Sequence, residues 1–231
     1  MNQPQLGQLG HVVWYETVRV MARLVLTVGW SLRLSGSRHV PHSGPAILVS
    51  NHESFFDPVL VGLATRRQLT YLARKSLFVG RLAGLIRSLN AIPIDNRGLG
   101  KEGLQQVLAE LARGRAVLVF PEGERSHDGS LQPLRAGVAL LIQRARVPVV
   151  PVGIAGAYAA WSRHRKYPRL APLWQSPTAG TLAVAVGPAL SGRRLAQLPR
   201  EAILTEVYQA IAAARHQAKQ LRRQLHGWRD A

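Results

Sequence analysis

Short apolar runs that empty into polar loops and then into helical segments recur along this 231-residue chain, and that alternation limits the fold more than any other feature. Ala46-Ile47-Leu48-Val49-Ser50 leads into Asn51-His52-Glu53-Ser54-Phe55-Phe56, and Asp57-Pro58 then opens a helix pattern. Ala116-Val117-Leu118-Val119-Phe120 leads into Pro121-Glu122-Gly123-Glu124-Arg125-Ser126, and Ala136 to Arg146 is helical in pattern. Val149-Val150-Pro151-Val152-Gly153 repeats the theme, with shorter strand signals at Gln68 to Leu72, Ala91 to Ile94 and Thr181 to Val186. Continuously apolar strands separated by helices predict an α/β domain whose mostly parallel or mixed sheet is covered by helices on both faces. In such sheets the loops at the carboxyl ends of the strands carry ligand sites.

Two flanking regions complete the expected organisation. Residues 1–34 are read as an N-terminal region built on an apolar helix from His11 to Leu34. In it Glu16, Arg19 and Arg23 form one narrow polar stripe, with Trp14, Tyr15 and Trp30 as interfacial residues. The apolar run Leu24 to Leu32 is too short to span a bilayer, so an amphipathic helix lying in the membrane interface is expected, with a helix buried against the α/β domain as the alternative. Residues 35–198 form the α/β domain, and 199–231 a basic helix with apolar or small residues at 204, 207, 211, 214, 218, 221 and 225. On that helix Arg215, Lys219, Arg222 and Arg223 are expected to stay solvated or to face lipid.

Charge narrows the partners. Thirty basic against 12 acidic residues give +18, and between Asp128 and Glu201 ten Arg or Lys residues stand without one acid. Such a field attracts anionic lipid, phosphorylated substrates or nucleic acid. The basic, aromatic stretch from Gly156 to Pro177 would suit stacked bases, but no nucleic-acid fold signature accompanies it. The absence of cysteine excludes disulfides, thiolate metal sites and cysteine nucleophiles. His52-Glu53 lacks the HExxH spacing of a zinc hydrolase, since position 56 is Phe.

The loops supply chemistry. Four residues separate His52 from Asp57, so a turn can bring the carboxylate to one imidazole nitrogen and leave the other for a substrate. Asp57 before Pro58 also suits an ordinary helix start. Asp95-Asn96-Arg97 and Glu122 to Ser126 follow two other strands and would bring a cation and polar groups to the same sheet edge. A base beside a phosphate-binding cation suits acyl transfer to a phosphorylated alcohol.

These residues carry a specific resemblance. Asn51-His52-x4-Asp57, Phe120-Pro121-Glu122-Gly123-x-Arg125-Ser126 and Val147 to Val152 resemble, in order and spacing, three of the four sequence blocks of the 1-acyl-sn-glycerol-3-phosphate (lysophosphatidic acid) acyltransferases. The likeness covers roughly residues 40 to 190. The remaining block reads Ile94-Asp95-Asn96-Arg97, one residue longer than the family's Ile-Asp-Arg pattern. The resemblance implies that His52 takes the proton of the acceptor hydroxyl while Asp57 holds the imidazole tautomer. It implies that Arg97, Glu122 and Gly123 bind the glycerol phosphate, with Asn51, Arg125 and Ser126 at the site and Pro151 on the acyl-donor side. Arg125 or Lys75 could share or replace the role of Arg97. No metal or prosthetic group is implied; acyl-CoA or acyl-carrier protein serves as co-substrate and lysophosphatidic acid as the lysophospholipid acceptor, giving phosphatidic acid, with glycerol-3-phosphate or another lysolipid as alternative acceptors that the blocks do not distinguish. The expected location is peripheral or monotopic, on an anionic membrane surface at the cytoplasmic face of the cell membrane, with no nucleic-acid partner.

Overall fold

A computed structural model of the chain describes residues 3–94, 100–174 and 178–223. Its elements run α1 (Gln3–Trp30), β1 (Arg33–Ser35), β2 (Ala46–Ser50), α2 (Asp57–Leu63), β3 (Leu69–Arg74), α3 (Gly80–Ser88), β4 (Ala91–Ile94) and α4 (Lys101–Ala112). They continue with β5 (Ala116–Val119), α5 (Ala136–Ala145), β6 (Val149–Ala155), α6 (Ala157–Trp161), β7 (Ala183–Val186), α7 (Gly192–Leu195) and α8 (Arg200–Arg223). The strands form one seven-stranded sheet in the order β1-β7-β6-β2-β5-β3-β4. Strands β6, β2, β5, β3 and β4 are parallel; β7 is antiparallel to β6, and β1 is parallel to β7. The carboxyl ends of β2, β5, β6, β3 and β4 therefore lie on one edge, and β2 and β5, whose loops carry His52 and Glu122, are neighbours.

Alternation along each strand sorts the core into two layers. Leu48, Leu118, Val150, Val152 and Ile154 pack with Leu26 and Trp30 of α1 and with Leu60 and Leu63 of α2. Ile47, Val49, Val117 and Val119 face the other way, onto Val107 and Leu111 of α4, Leu141 and Ile142 of α5, and Ile203, Val207 and Ile211 of α8. Burying each such side chain contributes about 1.5–3 kcal/mol, which is why the strands are apolar on both sides.

Two expectations about α1 change. The helix ends at Trp30, four residues early, because Ser31 turns with φ 50° and the chain enters β1, a strand held only by pairing with the distant β7. Tyr15 and Trp30, expected at a membrane interface, belong to the protein core, at 4% and 8% exposure. The indole of Trp30 donates to the Arg169 carbonyl at 2.7 Å, and the Tyr15 hydroxyl lies 3.1 Å from that of Tyr71. Trp14, Val20, Met21, Leu24, Val25 and Val28 are exposed instead. Among the described residues no helix is long and apolar enough to cross a membrane.

Helix α8 packs on β6 and β7 at a place where β6 carries Gly153. A β-carbon there would sit inside the backbone of Ala214 and Arg215, so the helix would have to lift off the sheet. Overpacking costs roughly 1–3 kcal/mol, and more when backbone is the obstacle. Gly153→Ala should lower the thermal midpoint by about 6–12 °C, given about 2–4 °C per kcal/mol in a chain of this size. Gly84→Ala, on α3 with open space around the position, should leave the midpoint unchanged or raise it. Calorimetry of both variants checks the contrast.

Candidate active site

The loop after β2 is fastened at its first residue. The Asn51 amide bridges to β6, accepting the Ile154 N–H at 2.8 Å and donating to the Ile154 carbonyl at 3.1 Å. The chain then folds back on Asp57, the first residue of α2. One oxygen of Asp57, Oδ2, accepts the N–H groups of Glu53 (2.6 Å) and Ser54 (2.7 Å) and lies 2.7 Å from His52 Nδ1. Asp57 is wholly buried, whereas the His52 side chain is 19% exposed and stacks on Phe120 at 4.0 Å between ring centroids. With Nδ1–H donating to the carboxylate, Nε2 is the ring nitrogen able to take a proton, and it has no hydrogen-bond partner among the described residues.

The loop after β5 holds this arrangement from the other side. The Glu122 carboxylate accepts the backbone N–H of His52 at 2.6 Å and that of Gln132 at 2.9 Å. Burial pushes its carboxyl up to about 7, against the pull of those two bonds. In the described structure Glu122 is thus a strut under the His52 backbone. Ser126 donates its N–H to the His52 carbonyl at 2.7 Å, and its hydroxyl bonds Asp128. Gly123 turns with φ 82°, and Arg135 lies against it, its Nε donating to the Glu122 carbonyl at 3.0 Å; a side chain at 123 would collide with that guanidinium.

Positive charge gathers beside the pair. The Arg125 guanidinium covers the ring of Phe55 at 3.6 Å, and its Nη1 is buried without a partner among the described residues. Its pKa is lowered by burial first, then by the neighbouring charges of Arg163 and Arg74. Arg163 also fixes the loop, donating to the Arg125 carbonyl at 3.1 Å. Lys75 follows Arg74 at the carboxyl end of β3, on the same sheet edge. Pro151 stands apart: it is buried inside β6 opposite Val49, with its carbonyl accepting the Gly187 N–H. Arg97 lies outside the described residues. A cleft of about 350 Å³ at the amino edge, lined by Arg67, Thr70 and Arg115 among others, contains none of these groups.

Glu53, Arg74 and Arg163 were not singled out by the motifs. Glu53 fills a spacer position between His52 and Asp57, yet it is buried, and burial together with the Asp57 charge pushes its carboxyl up to about 8. A carboxylate in a spacer whose other members are a serine and two phenylalanines is the one signal that could have marked it.

Fold and site together define an α/β protein with a His–Asp pair at the carboxyl edge of its sheet, next to a cluster of guanidinium groups. Residues 31–155, more than half of the chain, match the family model described as Acyltransferase, and the protein belongs to that family. It is 31% identical over 148 residues to human 1-acyl-sn-glycerol-3-phosphate acyltransferase alpha, covering 59% of this chain and 51% of that protein. It is 29% identical over 155 residues to the 1-acyl-sn-glycerol-3-phosphate acyltransferase of Streptococcus pneumoniae (64% and 56% covered). To that of Bacillus subtilis it is 21% identical over 191 residues (82% and 88%). The chain spans about half the length of the human relative. The crystal structure of the 1-acyl-sn-glycerophosphate (LPA) acyltransferase PlsC from Thermotoga maritima shares its fold, with a TM-score of 0.74 at 19% identity over 95% of this chain and 84% of that one.

Proposed function

We propose that the protein is a 1-acylglycerol-3-phosphate O-acyltransferase, which moves a fatty acyl group from acyl-CoA or acyl-carrier protein to the free hydroxyl of lysophosphatidic acid. The observation that carries this reading is the His52–Asp57 contact at 2.7 Å beside the guanidinium of Arg125. The names of the relatives support the acceptor. His52 Nε2 accepts the hydroxyl proton as the oxygen attacks the thioester carbonyl carbon. The C–S bond then breaks, and the departing thiolate takes the proton from the imidazolium that Asp57 has held. The acyl group passes directly to the acceptor, so no covalent enzyme intermediate, metal or prosthetic group enters the step. Arg125, with Arg74, Lys75 and Arg97 as further cations, grips the phosphate. The test is an assay of purified protein with several acyl thioesters against lysophosphatidic acid, glycerol-3-phosphate and other lysolipids. Turnover of lysophosphatidic acid above the rest is expected, and transfer to none of them sinks the reading.

The same reading places the protein peripherally on an anionic membrane, at the cytoplasmic face, where both thioester donors are available. Support comes from the exposed apolar side of α1 and the +18 charge. Apolar burial resists salt, whereas purely electrostatic binding does not. The protein should stay partly bound to anionic vesicles at about 1 M salt, where the Debye length is about 3 Å. Because residues 1–34 include core side chains, substitution is the cleaner probe than deletion: Val20→Gln, Leu24→Gln and Val25→Gln together should abolish the salt-resistant fraction. Vesicle binding that vanishes in high salt, alongside tight nucleic-acid binding at physiological salt, would point to a polyanion partner instead.

A further inference from the structure

Helix α8 lies outside the residues that match the family model, yet one of its side chains sits directly behind the His52 loop. Arg215 is 17% exposed and reaches two parts of the site. One of its terminal nitrogens, Nη2, donates to the Gly129 carbonyl and stands 3.6 Å from Glu53 Oε2.

Each contact continues to one member of the pair. Gly129 donates its N–H to Ser126 Oγ at 2.9 Å, and Ser126 donates its own N–H to the His52 carbonyl. Glu53 turns its side chain inward, where Oε1 accepts the Tyr158 N–H at 3.2 Å, while its backbone N–H is one of the two that hold Asp57. Arg215 thus grips the His52 side of the loop through Gly129 and Ser126, and the Asp57 side through Glu53. Gly153 makes this reach possible, because only a residue without a side chain lets α8 approach β6 at Arg215.

We propose that Arg215 is a positioning residue for the His52–Asp57 pair, acting through the Glu53 carboxyl and the Gly129 carbonyl. Its cation offsets the second carboxyl that this loop carries beside Asp57, and its two contacts fix the ring without touching substrate. The proposal rests on His52 being the base. The charged groups around Glu53 are Asp57, which pushes its pKa up, and Arg215, which pulls it down. Lys219 and Arg222 on α8 also feel the Glu53 charge, and Glu122 feels both Asp57 and Arg215.

The experiment compares Arg215→Met, Glu53→Gln and the double variant in the full chain. Arg215→Met keeps the apolar stem and removes the cation. Its kcat should fall about 10- to 100-fold, the cost of displacing a catalytic group by an ångström, with both KM values within about 2-fold. Assayed at a pH above the Glu53 titration, the double variant should be no slower than Arg215→Met, because there the single variant carries an unpaired carboxylate at 53 and the double variant a neutral amide. With Glu53 held near 8, the kcat–pH profile of the parent should bend in that region. The bend should move upward in Arg215→Met and disappear in Glu53→Gln. Equal kcat and an equal profile in both single variants overturn the proposal, as do losses that multiply in the double variant. The imidazole ¹⁵N resonances of His52, assigned with His52→Gln, give a readout that needs no turnover. If they shift in Arg215→Met while no acceptor is acylated, the positioning role stands and the acyltransferase reading falls. If acylation is seen but neither the resonances nor kcat respond, the positioning role falls alone.

Discussion

His52→Ala should lower kcat by about 10²-fold or more, the contribution of a positioned general base, with the protein still folded. The ring makes few of the contacts that hold the loop. Those contacts come from the His52 backbone, through its N–H to Glu122 and its carbonyl from Ser126, and alanine keeps both. Thermal unfolding should therefore move little, while turnover under saturating substrates collapses. Asp57→Asn should also be slow, for a different reason: the neutral amide cannot stabilise the imidazolium, and its NH₂ would enter the buried Oδ1 position, which has no partner among the described residues. Near-normal turnover by His52→Ala would place the base elsewhere and end the mechanism proposed above.

The second large effect concerns the phosphate. Arg125→Ala should raise the apparent KM of a phosphorylated acceptor by about 10- to 150-fold while leaving that of the thioester nearly unchanged. That range corresponds to a charge-assisted bond worth roughly 1.5–3 kcal/mol. The guanidinium is partly desolvated, crowded by the charges of Arg163 and Arg74, and has a buried nitrogen with no partner among the described residues. An incoming dianion relieves each of these costs. Its stacking on Phe55 holds the plane in place, so Arg125→Lys should recover only part of the affinity. Steady-state kinetics on Arg125→Ala, Arg74→Ala, Lys75→Ala and Arg97→Ala sorts the four cations. An acceptor-selective defect confined to Arg97→Ala would move the grip to Arg97.

Several side chains near the site take part in its framework. The resemblance implies that Glu122 binds substrate, and each of its carboxylate oxygens also accepts a backbone N–H, from His52 and from Gln132. Pro151, expected beside the acyl donor, lies within the sheet against Gly187. Arg215, expected in solvent or lipid, is mostly buried against Glu53. Each of these placements depends on residues far away in the chain.

The sequence alone determined the class of fold, most of the strands, and the His52–Asp57 turn. The reason is local: strands covered on both faces must be continuously apolar, as Ala46 to Ser50 and Ala116 to Val119 are, and Asp57-Pro58 marks a helix start five residues after a histidine. Other features carry no local mark. Around an almost wholly apolar helix nothing says which side the core will cover, so Trp14 and Tyr15, adjacent in sequence, went to opposite environments. The three residues of β1 are a strand only because β7, about 150 positions later, supplies the ladder. Four basic residues near the end of α8 look alike in the sequence, and it was the close approach of α8 to Gly153 that turned Arg215 inward toward Glu53. Which charges are solvated and which are built into the site was decided by tertiary packing, because burial and partnership depend on contacts between residues far apart in the chain.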